Sequence, residues 1–177
     1  VVLLRAGQIS FGHAMYACIA GYVVAFLGQR YPGLDGMLLI LAGTVASVLA
    51  SMLIGAFVVR YREIFFGMLN LAISMVLFTV LGKFYNLTGG TDGLRISRPE
   101  MLGFHLERAP FEMFLLVLVL VVSLLVIFGV QRFFESSSGQ ALSAIKADET
   151  RLEYLGVSAR KVLWKGYVLS ASLCGLS

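Results

Sequence analysis

The sequence predicts an all-α fold: a polytopic bundle of membrane-spanning helices with one polar helical segment held outside the bilayer. Three observations predict it. The chain has 177 residues, 59% of them hydrophobic and only 14% charged, where ordinary soluble domains carry roughly 25% charged residues. Its apolar residues gather in long uncharged runs of the length a bilayer demands. One stretch, Gln131 to Lys165, breaks the pattern. It holds six of the fourteen Lys and Arg residues and four of the ten acids, and it has a helical period of its own.

The first run, Ala6 to Gln29, contains no acid, Lys or Arg. It predicts a span over about 10–28. It is too long and too glycine-rich for a signal peptide. Gly7, Gln8, Ser10, Gly12 and His13 crowd its front, and polar, glycine-rich backbone at membrane depth is tolerated only where protein or a water-filled cavity covers it. His13 is either a substrate or proton-path group or a helix-to-helix hydrogen-bonding residue. Pro32-Gly33 and Asp35-Gly36 mark a tight turn. The second run predicts a span over 37–59. Its small residues, Ala42, Gly43, Ala46, Ser47, Ala50, Ser51 and Gly55, recur at spacings that let helix backbones approach closely. Arg60, Arg62 and Glu63 make a charged turn. The third span is expected over 64–84, with Asn70 and Ser74 on one face, where they glue helices or line a path. Tyr85 to Ala109 reads as a long loop opening on Asn86–Gly93, a cluster of turn formers. The fourth span is expected over 111–131 and is greasy on every side, which suggests lipid contact. Trp164 and Tyr167 sit where interfacial aromatics belong, opening a fifth span over 164–177. The chain starts in an apolar string and the fifth run stops after about three turns, so we expect one piece of a larger protein, a partial transmembrane domain.

The polar segment, 132–163, carries the organising signal. Ser137 with Gln140 fits a helix-opening capping pattern. Ala141, Ile145, Leu152 and Leu155 then fall on one apolar stripe of a helix about four turns long, with Asp148 on the same stripe. Gly156 supplies a left-handed stop, followed by the apolar Val157. Such a helix lies on the lipid surface or docks into a groove on a soluble partner. Charge orients it. With this segment inside the cell, nine of the fourteen cations fall inside and five outside, as the positive-inside rule favours.

Several classes are set aside. The basic residues form no face with interleaved aromatics, so nucleic acid is not an expected partner. Cys18 and Cys174 form no metal or redox spacing and read as packing residues. No nucleotide-binding GxxxxGKS/T and no nucleophile–base set occurs, so the chain is expected to be no enzyme, with no catalytic residue and no metal ligand. A stand-alone channel or secondary carrier would want paired ionisable groups within its spans, and only His13 is present.

Three ordered strings resemble one family. Gly7-Gln8-Ile9-Ser10-Phe11-Gly12-His13-Ala14 is similar to the GQISLGHA signature of the membrane permeases of bacterial branched-chain amino acid ABC importers. Thr88-Gly89-Gly90-Thr91-Asp92-Gly93-Leu94 resembles their TGG(S/T)(D/N)GL segment. Ser138-Gly139-Gln140-Ala141-Leu142-Ser143-Ala144-Ile145-Lys146-Ala147-Asp148-Glu149, followed by Leu155-Gly156-Val157, resembles their SxxGRALxAIRxDE…LGI cytoplasmic loop. The resemblance implies a multi-pass permease subunit of the bacterial inner membrane, paired with a second permease subunit. Two cytoplasmic ATPase subunits would drive it, binding the ATP and Mg that this chain does not, and a periplasmic amino-acid-binding protein would deliver substrate. Related permeases carry urea or short amides. It also implies that the cytoplasmic loop is the ATPase-coupling segment, through Gly139, Ala141, Ile145, Asp148, Glu149, Leu152, Leu155 and Gly156. For the substrate path we expect Gly12, His13, Asn70 and Ser74, and for an external loop that meets the binding protein Gly89, Gly90, Asp92 and Gly93. The chain departs from the family at Gln140 and Lys146, where Arg is commoner. The position six before Gly156 holds Thr150, with Glu149 one residue early.

Overall fold

A computed structural model describes residues 2–8, 10–31, 33–84 and 108–177. The elements are a 3-10 turn, Leu3–Ala6, and the helices α1 (Ala14–Arg30), α2 (Gly36–Val58), α3 (Glu63–Lys83), α4 (Arg108–Glu135), α5 (Ser137–Ala147), α6 (Glu149–Tyr154) and α7 (Ala159–Leu176). No strand occurs among the described residues. Among the described residues, three helices are long and apolar enough to cross a membrane: α2, residues 64–83 of α3, and residues 111–135 of α4. Gly89, Gly90, Asp92 and Gly93, expected to form an external loop, lie outside the described residues.

The centre of the molecule is a close triangle of α1, α2 and α7. Residue size on α2 explains why these helices approach so tightly. Its buried residues Leu39, Gly43, Ser47, Ser51 and Gly55 repeat every fourth position, which aligns them on one face. A Cβ at Gly43 would lie 2.8 Å from Val24 Cγ2 of α1, and one at Gly55 would lie 2.6 Å from Tyr167 Cδ1 of α7. Between them, Ser47 donates its hydroxyl to the Ala171 carbonyl at 3.2 Å. The small-residue face read from the sequence is therefore the seam on which two neighbours close. Without a hydrophobic drive between helices in lipid, van der Waals contact and such interhelical hydrogen bonds hold the seam.

Helix α4 behaves differently. Its packing partner is α5, the next element in the chain. None of its most apolar window is buried, against 22% for α2, although its mean hydropathy is highest at 3.3. A helix this apolar and this exposed needs lipid or another membrane protein around it, as its sequence predicted. It begins at Arg108 and continues to Glu135, beyond the expected 111–131. Helix α7 begins at Ala159, five residues before the expected start, so the polar segment overlaps both neighbouring helices.

The front of the first run is not a span but a folded-back cap. Gly7, with φ 74°, closes the 3-10 turn in the left-handed region, and its N–H and that of Gln8 reach back to the Leu4 and Leu3 carbonyls, each at 3.1 Å. Val2, Leu3 and Ala6 enter the core beside Leu142 and Ile145. Gln8 is buried. Residues 10–13 are irregular until α1 begins after His13, with Gly12 buried and Phe11 exposed.

Candidate functional site

The polar segment turns back beneath the bundle. Ser136, in extended conformation, caps α5 by accepting a hydrogen bond from the Gly139 N–H at 3.4 Å. The cap is thus one residue before the expected Ser137, and Gln140 Nε2 donates instead to the Glu135 carbonyl. Gly139 is pressed against the backbone of Phe133 and Phe134, where a Cβ would collide. That close approach turns the chain sharply from α4 into α5.

One continuous helix was expected, and two are found. Asp148 is extended (φ −163°, ψ 103°) and separates α5 from α6. Its carboxylate accepts from the Arg151 N–H at 3.2 Å, so it serves as the N-cap of α6 rather than as part of a stripe. Aspartate is among the strongest N-cap residues, because its oxygen satisfies an otherwise orphaned backbone donor. The end of α6 agrees with the sequence: Gly156 has φ 79°, its N–H bonds the Glu153 carbonyl at 2.9 Å, and the Val157 N–H bonds the Leu152 carbonyl at 3.3 Å. This pair of reverse bonds is the Schellman stop.

The break redistributes the apolar residues. Ile145 and Leu152 are 6% and 7% exposed and belong to the chain's own core, with Leu142 at 0% and Ala141 packed at its edge. They fasten the segment to the 3-10 turn and α7. Leu155, expected on the same stripe, is 78% exposed and Tyr154 is 86% exposed. The outward apolar surface is therefore Tyr154 and Leu155, with Val157 beside them, not the Ile145–Leu152 stripe.

Glu149 makes the strongest polar tie of the segment. It receives Arg62 Nε at 3.0 Å on each carboxylate oxygen and Arg62 Nη2 at 2.7 Å. Arg62 also donates through Nη1 to the Val59 carbonyl at 2.5 Å. The fork of the guanidinium thereby joins the α2–α3 turn to the first residue of α6, a bidentate geometry that fixes orientation. The sequence places Arg62 only in a charged turn. No local spacing links positions 87 residues apart.

The second region lies within the bundle. Asn70 of α3 is fully buried. Tyr167 donates its hydroxyl to Asn70 Oδ1 at 2.8 Å, and Asn70 Nδ2 donates to Ser10 Oγ. Ser10 Oγ lies 2.5 Å from His13 Nδ1, and the Tyr16 and Tyr167 hydroxyls are 2.7 Å apart. The contacts run as one chain, from Tyr16 to Tyr167, Asn70, Ser10 and His13 Nδ1. It ends at His13, whose Nε2 is buried and has no hydrogen-bond partner among the described residues. Gly12 lies against the Asn70 carbonyl, where a Cβ would collide. Gly12, His13 and Asn70 are thus brought together. Ser74 is not with them: its hydroxyl donates to the Leu71 carbonyl of its own helix at 2.7 Å. Tyr167, expected at the interface, is instead 0% exposed in the core, edge-on to Phe66, Tyr16 and His13. Beside this network opens a cleft of about 370 Å³ lined by Leu3, Leu4, Gln8, Ser10, His13, Ser170 and Cys174.

The family described as "Branched-chain amino acid transport system / permease component" matches residues 1–177. The chain is 24% identical over 198 aligned positions to the high-affinity branched-chain amino acid transport system permease protein LivM of Escherichia coli (strain K12), covering 100% of this chain and 46% of that protein. The LivM protein of Salmonella typhimurium (strain LT2) is 25% identical over the same shares. The chain therefore spans about half the length of the curated relatives it matches. No solved structure matches it. A match along the whole chain, on a membrane bundle of apolar helices, shows that the chain belongs to the branched-chain amino acid transport permease family.

Proposed function

We propose that this chain is the working part of a permease subunit in an ATP-driven importer of branched-chain amino acids, seated in the inner membrane. A second permease subunit completes the pathway, two cytoplasmic ATPase subunits drive it, and a periplasmic binding protein supplies leucine, isoleucine or valine. The chain itself does no chemistry. The observation that carries the reading is the two-sided build of residues 137–157. One side is fastened to the bundle by Leu142, Ile145 and Leu152 and by the Arg62–Glu149 fork. The other side presents Tyr154 and Leu155 to solvent. A segment that transmits force between an engine and a set of spans needs both: rigid seating on the spans and an apolar contact for the engine. A helix floating on lipid would need neither a core anchor nor a fork.

Substrate would pass the cleft beside the Ser10–His13–Asn70 network. The buried polar chain holds the His13 ring, so that its unpartnered Nε2 is oriented by protein contacts rather than by solvent. Gln8, Ser10 and Ser170 add polar atoms to the same walls. A small number of placed polar groups in a largely apolar cleft suits a ligand with one charged end and an aliphatic side chain.

The test is ATP-dependent uptake of labelled leucine, isoleucine, valine and urea by the complete transporter in proteoliposomes. We expect uptake of the three amino acids that requires ATP and the binding protein. Uptake of urea alone would move the chain to an amide-importing branch. Uptake without ATP would reject the importer.

A further inference from the structure

Where α2 ends its membrane span and α7 begins, the two helices enclose a second cleft of about 390 Å³. Ala56, Val59, Arg160, Lys161 and Trp164 line it. We propose that this cleft seats the headgroup of an anionic phospholipid, with Arg160 and Lys161 as charge partners of the phosphate. The inference goes beyond the transport reading and depends only on the chain's lying in a membrane.

Four observations carry it. The cleft sits at headgroup level, because α2 is a 23-residue candidate span that stops at Val58, one residue before the lining Val59. Arg160 and Lys161 are exposed and form no ion pair among the described residues. The wall between them is fixed: Trp164 Nε1 donates to the Met52 carbonyl at 3.2 Å, and Gly55, lacking a side chain, lets α7 lie close enough for that bond. Tryptophan with its ring against apolar surface and its N–H engaged is a residue of the membrane interface. Finally, the exposed residues Leu49 and Leu53 lie seven and three positions before the lining Ala56, the spacing that puts them on its side of α2. This stripe continues into the span and ends at its polar edge on the exposed Arg60.

One molecule of anionic lipid fits all of these at once. Its phosphate meets two cations in a walled cleft, and its acyl chains lie along Leu53 and Leu49. Basic pockets between helices at a membrane surface hold such headgroups. A water-soluble partner would reach the cations but leave the stripe uncovered.

The experiment is native mass spectrometry of the complete transporter, titrated with phosphatidylglycerol and with phosphatidylcholine. We expect phosphatidylglycerol to be retained over phosphatidylcholine, and retention to fall roughly 10- to 30-fold in the R160Q/K161Q double variant. An R30Q/K83Q variant, altered at the far ends of α1 and α3, should retain it fully. Ala56→Phe fills the cleft while leaving both cations, and should also release it. Equal retention of the two lipids, or full retention in R160Q/K161Q, would overturn the proposal. Full retention in Ala56→Phe would replace a seat with diffuse attraction and overturn it too. Displacement of phosphatidylglycerol by millimolar inorganic phosphate would make the cleft a free-anion site instead. A photo-crosslinker at position 53 that captures another membrane subunit rather than lipid would assign the groove to that subunit.

Discussion

Asn70 ties three separate parts of the chain with one side chain. Its carbonyl accepts from Tyr167 of α7 and its amide donates to Ser10 in the irregular segment before α1. Replacing it with alanine leaves the Tyr167 hydroxyl and Ser10 without their partner inside the bundle. Interhelical hydrogen bonds in membrane proteins average about 0.6 kcal/mol and reach about 1.7, so Asn70→Ala should lower stability by about 1–3 kcal/mol, read as a drop in thermal midpoint of the purified complex. Tyr167→Phe should lower it less, and the double variant should cost less than the sum, because both remove the same bond. Strict additivity would mean that the network is not shared. Arg62 and Glu149 pose the opposite case. Their side chains are 29% and 34% exposed, and a partly solvated pair contributes little to stability, about 1 kcal/mol or less. Its value is orientation. Glu149→Gln should therefore leave the thermal midpoint almost unchanged while lowering uptake per ATP hydrolysed, and the exchange Arg62→Glu with Glu149→Arg should restore part of it. Neither tie was legible in the sequence. Asn70 was visible as a polar residue in a span, and gluing was one of its two readings, but its partners are 60 and 97 residues away.

At the scale of elements, helix positions and the α2 seam could be read, because lipid imposes length on a span and close packing imposes size on a contact. Gly43→Leu places a large side chain where a single Cβ would already lie 2.8 Å from Val24. It should prevent α1 from closing on α2, seen as loss of the folded complex in size-exclusion chromatography. Gly82, on the outer part of α3 with open space around it, should accept the same change. The break at Asp148 was not legible. Ala144 to Arg151 contains no glycine or proline, so the apolar period seemed to continue through it. The available signal was Asp148 itself, a capping residue followed by an acid in the first turn of α6. Asp148→Ala should cost about 1 kcal/mol and loosen α6 from α5, read as faster hydrogen exchange confined to residues 148–154. Tyr167 was misplaced for a related reason. An amphipathic aromatic beside Trp164 looks interfacial until Gly55 is seen to make room for its ring.

For the whole molecule, the folded unit is α1, α2 and α7 with the polar segment fastened beneath them. Helix α4 stands apart with an apolar surface that lipid or another membrane subunit must cover. The family could be read from three short strings, but how the polar segment is built could not. Apolar periodicity marks residues that avoid water without saying whether their cover is the same chain or a partner. Leu152 and Leu155 have the same side chain and fell on one stripe, yet one is in the core and the other faces solvent. Their aspartate variants should differ accordingly. Leu152→Asp puts a charge in a dry core at a cost of several kcal/mol, and the chain itself should fail to accumulate. The most direct test is affinity purification of the Leu155→Asp variant with its ATPase subunits co-expressed. The account predicts a stable permease, assembled in the membrane with its second subunit, from which the ATPase is lost. An ATPase retained at the wild-type ratio would contradict it.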